Sequence, residues 1–129
     1  MFSREVLDHF QHPRNAGELD GASASVEVSN PVCGDILRLA VKVEQGRIVR
    51  ARFLCRGCAT AIACASRLTE LLSGNSLHQT RDISVEELSR SLGGLPAETI
   101  HGAHLAIEAA RAIGKRLQPG PAPPSATTA

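Results

Sequence analysis

The spacing of hydrophobic positions changes character along this chain. From Ser3 to about Phe10 it is helical, with Val6, Leu7 and Phe10 as an apolar stripe behind a serine able to cap the first turn. Pro13 stops that helix, and His12-Pro13-Arg14-Asn15 reads as an ordered turn before a link rich in Gly, Ala and Ser. The period then becomes two. Leu37, Leu39, Val41 and Val43 alternate with Arg38, Ala40 and Lys42, which predicts a strand with one wet face over Ile36 to Val43. Glu44-Gln45-Gly46 makes a turn. Val49, Ala51 and Phe53 then alternate with Ile48, Arg50 and Arg52 to complete a hairpin, and Val26 to Val28 offers a third strand.

Helical spacing returns in the second half. Ala59 to Ser73 carries Ile62, Ala65, Leu68, Thr69 and Leu72 on one face and ends at Gly74. Ser84 and Glu87 have capping-box spacing for a short helix through Leu92, broken by Gly93-Gly94. A longer helix is predicted from about Pro96 to Leu117, with Ile100, Ala103, Ile107, Ala110, Ile113 and Leu117 inward. The expectation is an α+β domain over residues 1–117, a small antiparallel three-stranded sheet with helices packed on one face. Residues 118–129, rich in Pro, Ala and Thr, read as a disordered tail.

Composition narrows the function. The 129 residues are 43% hydrophobic but only 2% aromatic, so the core must be aliphatic and base-stacking platforms are scarce. A net charge of +1 gives no argument for a nucleic-acid or membrane partner. No apolar run has the length of a membrane span, and the charged start, Met1 to Phe10, does not read as a signal peptide. A cytoplasmic setting is expected, where the four cysteines would be reduced thiols.

The chemistry-bearing residues are spread over distant segments. Cys33-Gly34-Asp35 sits in a loop before a strand and pairs a soft donor with a hard one; alone, it is better read as a buried cysteine beside a turn aspartate. Cys58 follows Gly57 where strand passes to helix, and a helix N-terminus favours the ligating thiolate; a small apolar corner residue is the equal alternative. Cys55 and Cys58 have the C-x-x-C spacing of zinc and dithiol sites, a weak signal in a single copy. Cys64 falls on another side of the helix and is expected in the core. His101 and His104 share a helix face, with His101 the better ligand and His104 half-buried and hydrogen-bonded, whereas His9, His12 and His78 read as surface or turn residues. Together Cys33, Asp35, Cys58 and His101 supply four donors, the number a tetrahedral zinc or iron site needs.

These segments resemble, in order and spacing over about residues 3 to 117, the IscU/NifU N-terminal family of iron–sulfur cluster assembly scaffolds. The resemblance is carried by His12-Pro13-Arg14-Asn15, Asn30 to Asp35, Phe53 to Cys58 with the Ala-rich helix after it, and Leu95-Pro96 followed by Ile100-His101. It implies a scaffold or carrier, not an enzyme, that binds iron and a nascent [2Fe–2S] cluster and hands it to apo iron–sulfur proteins after a cysteine desulfurase delivers sulfur. Cys33, Asp35 and Cys58 match the family's ligands, and His101 matches the histidine before its third cysteine. Two departures stand out: Gly102 occupies the place of that third cysteine, and Thr99 stands where Isc-type scaffolds carry the lysine of a chaperone-recognition segment. Gly102 motivates the alternative of a zinc-binding or metal-free relative that contacts a desulfurase. A thiol carrier using Cys55 and Cys58 ranks below both.

Overall fold

The computed structural model of the chain describes residues 2–31 and 34–117. Cys33 and the expected tail, 118–129, lie outside the described residues. Helix α1 (Arg4–Gln11) is followed by strands β1 (Ala24–Asn30), β2 (Asp35–Glu44) and β3 (Arg47–Arg56). Helices α2 (Ala59–Leu72), α3 (Leu77–Arg81), α4 (Val85–Ser91) and α5 (His101–Leu117) follow. The strands form one antiparallel sheet in the order β1-β2-β3, and α2 and α5 pack on one of its faces, as the α+β reading expects.

The register explains the layering. Leu37, Leu39 and Val41 of β2 lie opposite Cys55, Phe53 and Ala51 of β3, and this inward row is buried apart from the half-buried Cys55. Each fully buried aliphatic side chain contributes about 1.5–3 kcal/mol of transfer free energy. An irregularity between Lys42 and Val43 shifts the register, so Ile48 turns into the core and Val49 is exposed. Strict alternation had placed Val49 inside; a bulge reverses the faces beyond it.

Helix α2 is buried on most sides, its small residues Ala61, Ala63, Cys64, Ala65 and Ser66 allowing the sheet, α1 and α5 to approach it closely. Cys64 is fully buried, and burial pushes its thiol up to about 12. The His12 to Asn15 turn is clamped to α2: the Arg14 amide donates to the Ser66 hydroxyl at 2.8 Å, and Asn15 donates to Thr69 Oγ1 at 3.0 Å. Asn15 and Gly17 then pair with Phe53 along the free edge of β3.

Three expectations need correction. On α1 the buried residues are Val6 and His9, while Leu7 and Phe10 stay exposed, because the helix packs on α2 through its His9 side. The last helix begins at His101 rather than near Pro96; the extended Pro96 is followed by a short 3-10 turn, Ala97–Thr99. Helix α3 is an addition, announced by Ser76 and Gln79, which form a capping box.

Candidate metal centre

Three elements converge at one end of the sheet. Asp35 is the first residue of β2, entered through a turn in which Gly34 takes a φ of +75°, a left-handed conformation that suits glycine. Its carboxylate is buried against Gly57, where a Cβ would stand 2.8 Å from the carboxyl carbon. Only a glycine at 57 leaves room for that carboxylate in this position. The C-R-G-C spacing was read for its cysteines, and the glycine between them is the residue whose site role the sequence reading missed; the strand-to-helix turn around it was its only signal.

Cys58 is the N-cap of α2. Its Sγ accepts from the Ala61 amide at 3.4 Å, and the residue is exposed. His101 opens α5, half-buried. Two helix N-termini therefore end at the site, and their partial positive charge favours anionic donors there.

The three donor atoms form a nearly equilateral triangle. Cys58 Sγ lies 3.8 Å from Asp35 Oδ2 and 3.7 Å from His101 Nε2, and His101 Nε2 lies 3.8 Å from Asp35 Oδ2. An ion held tetrahedrally by bonds of about 2.0–2.3 Å needs donor–donor edges of about 3.3–3.8 Å. The triangle matches one face of such a polyhedron. Thiolate, imidazole and carboxylate together are a donor set for zinc or ferrous iron. One coordination position is left over, facing away from the triangle.

Of the residues expected at the site, the structure brings Asp35, Cys58 and His101 together. Cys33, two residues before Asp35 in the chain, lies outside the described residues. Gly102 offers no donor, and its place is closed by packing: a Cβ there would lie 3.1 Å from the Ala61 nitrogen and 3.2 Å from the Ala61 Cα. The first turns of α2 and α5 can approach this closely because residue 102 has no side chain.

The other chemistry-bearing residues fall elsewhere. Cys55 is half-buried on the inward row of β3, and burial pushes its thiol up to about 11. His104 is exposed, not half-buried as expected, because the turn of α5 that faces α2 carries Ala103 and Ala106. His9, expected at the surface, is buried at 6% exposure between Ser66, at 2.7 Å, and Glu70, at 3.3 Å. His12 and His78 are exposed, as expected. No helix among the described residues is long and apolar enough to cross a membrane.

Comparisons with known proteins identify the family. Residues 1–117 match the family described as NifU-like N terminal domain. The chain is 40% identical over 111 residues to an iron–sulfur cluster assembly scaffold protein IscU of Archaeoglobus fulgidus, covering 86% of this chain and 72% of that protein. It is also 40% identical over 115 residues to the IscU scaffold protein of Azotobacter vinelandii, covering 86% of this chain and 89% of that one. The fold is shared with the crystal structure of the N-terminal part of a nitrogen-fixing NifU-like protein from Brucella abortus, at a TM-score of 0.58 and 16% identity over 88% of this chain and 80% of that one. The chain belongs to the NifU-like N-terminal domain family of IscU-type proteins.

Proposed function

We propose that this chain is an iron–sulfur cluster assembly scaffold, a binding protein without turnover chemistry of its own. It takes up iron and sulfide, holds a nascent [2Fe–2S] cluster and releases it to apo iron–sulfur proteins. The observation that carries the reading is the triangle of Cys58 Sγ, His101 Nε2 and Asp35 Oδ2, with edges of 3.7–3.8 Å, in a chain 40% identical to named scaffolds. In this reading Asp35, Cys58 and His101 bind the first iron, and Cys33 joins them as the second thiol. The exposed Cys58 is where a cysteine desulfurase would deliver sulfur. The carboxylate is the hard donor in a set that otherwise suits a soft cluster, so it is the first to yield when the cluster leaves. A cytoplasmic location goes with reduced thiols.

The test is anaerobic reconstitution with ferrous iron and sulfide, followed by metal and sulfide analysis and a visible spectrum. Iron and sulfide in equal amounts with a thiolate-to-iron charge-transfer band is the expected result. Cys58→Ala and Cys33→Ala should each abolish the band, and a band that survived both would sink this site.

A second reading is favoured by Gly102. The close packing of α5 on Ala61 fills the neighbourhood from which a third thiol would reach, and the triangle suits a single ion. Such a protein would hold one zinc or ferrous ion and engage the desulfurase without completing a cluster. Stoichiometric zinc together with failed reconstitution would decide for it.

A further inference from the structure

The helices cover one face of the sheet; on the other, Arg38, Arg50, Leu54 and Arg56 are exposed and Ile36, Ala40, Lys42 and Arg52 half-buried. Alternation puts Arg38 and Lys42 of β2 and Arg50, Arg52 and Arg56 of β3 on that outer face, with Glu27 of β1. The net charge of +1 conceals this asymmetry. The chain has 14 basic and 13 acidic residues, so once these five cations and one carboxylate are set aside, the rest carries nine against twelve.

Among the described residues, the face is neutralised from within only at Arg38. Arg38 pairs with Glu27 at 3.5 Å, both being 60% exposed, so the pair adds little stability. Among the described residues no carboxylate lies within ion-pair distance of Lys42, Arg50, Arg52 or Arg56. Lys42 stands directly across from Arg50 in the register, a like-charge pair that costs the fold stability.

The face also has apolar relief. Ile36 and Leu54 are diagonal neighbours across β2 and β3, and Leu54 is 39% exposed. They line a shallow cleft of about 420 Å³ with Arg38, Arg56 and the carboxylate-bearing Glu27; a second cleft of about 420 Å³, lined by Arg38 and Arg52, also carries Glu18 and Glu27. An apolar centre with cations around it is the complement of an apolar anchor flanked by carboxylates.

We propose that the outer face of the sheet is a docking surface for an acidic protein segment. A buried apolar side chain of the partner sits over Ile36 and Leu54, and its carboxylates meet Arg38, Arg50, Arg52 and Arg56. Nucleic acid fits less well, because no aromatic ring is available for stacking here: Phe53 points into the core, and Phe2 and Phe10 belong to the α1 region. The surface adjoins the metal centre through the chain itself, since Ile36 follows Asp35 and Arg56 precedes Gly57 and Cys58. A partner docked here is held beside the ligand-bearing turn, whichever reading of that centre is correct.

The test is a nuclear magnetic resonance titration of the whole chain with a synthetic peptide of eight glutamates around a central leucine. Shifts should concentrate on residues 36–42 and 50–56. Affinity should fall by about tenfold when salt rises from roughly 50 to 300 mM. A triple Arg50→Glu, Arg52→Glu, Arg56→Glu variant should lose at least about tenfold, and Leu54→Ala about threefold. A second triple variant with glutamine at the same positions covers failure of the first to fold and should lose roughly fivefold. Shifts elsewhere on the molecule, or triple variants that bind as well as the parent, would overturn the proposal. So would a single-stranded oligodeoxynucleotide of equal charge that moved the same residues at higher affinity than the peptide.

Discussion

Two polar triads are built around helix α2, and they have almost the same composition. One joins His9 of α1 to Ser66 and Glu70; the other joins His101 of α5 to Cys58 and to Asp35 of β2. In the first, the contacts are 2.7 and 3.3 Å, and His9 and Ser66 are buried. In the second, all three edges are 3.7–3.8 Å, Cys58 is exposed and His101 is half-buried. At the shorter distances the polar atoms satisfy one another and leave no space. At the longer ones the larger sulfur of Cys58 still reaches both partners, and the spacing also suits an ion of about 2.0–2.3 Å bond length. The first triad locks α1 and the His12 to Asn15 turn onto α2; the second is spaced by the backbone that carries it, the starts of β2 and of two helices. A histidine beside a carboxylate and a hydroxyl or thiol is a clamp or a binding site according to that separation.

The largest expected contrast comes from one change in each triad. Cys58→Ser keeps an oxygen able to cap α2, so the free energy of unfolding should stay within about 1 kcal/mol. Its zinc or ferrous affinity, measured by competition with a chelator, should drop by more than about a hundredfold, because loss of a direct ligand exceeds the 10–100-fold cost of losing an outer partner. His9→Ala should do the reverse. It leaves a cavity and takes the imidazole away from the buried Ser66 hydroxyl, while Glu70 keeps Arg67 at 2.9 Å; denaturant unfolding should show a loss of about 2–3 kcal/mol with metal affinity unchanged.

A smaller effect follows from pH. Burial holds His9 below its ordinary value of 6.5, and the nearby Arg14 and Arg67 guanidiniums assist, against the opposing pull of Glu70 and Asp8. Below pH 6.5 the unfolded chain takes up this proton while the folded one does not. Stability is therefore fully present above that value and is lost as the pH falls toward the folded value, by at most about 1.4 kcal/mol per pH unit. Urea melts of the parent and His9→Gln between pH 7 and 5, about the window set by the ordinary histidine value, should diverge in slope. Parallel curves would show that His9 takes up its proton equally in the folded and unfolded states.

The smallest effect is at Gly102. In Gly102→Ala the new methyl presses on Ala61, so α5 must shift by a few tenths of an ångström. Better helix propensity, worth about 1 kcal/mol, offsets the crowding, and stability should change by less than about 1 kcal/mol. His101 moves with α5, and zinc affinity should weaken roughly threefold to tenfold, between the losses seen for outer partners and none. Unchanged affinity would mean that the triangle tolerates movement of that helix.

Much of this protein can be read from local pattern. The strands at Leu37 to Val41 and Ala51 to Phe53, the Ser3 and Ser84 caps and the Gly93-Gly94 break all follow from side-chain period and backbone chemistry, which neighbouring residues settle among themselves. Asp35, Cys58 and His101 could be named as donors because their residue types and flanking turns are local too. What lay beyond the sequence depended on contacts between distant segments. The bulge at Lys42 and Val43 inverted Ile48 and Val49; the docking of α1 buried His9 and left Leu7 and Phe10 outside. The spacing of the three donors was decided by how closely Gly57 lets Asp35 approach and Gly102 lets α5 meet α2. The cations of the outer sheet face likewise add up to a surface only once β2 and β3 lie side by side. Periodicity records which face of an element is apolar, whereas a distance of a few tenths of an ångström is set by packing across the whole core.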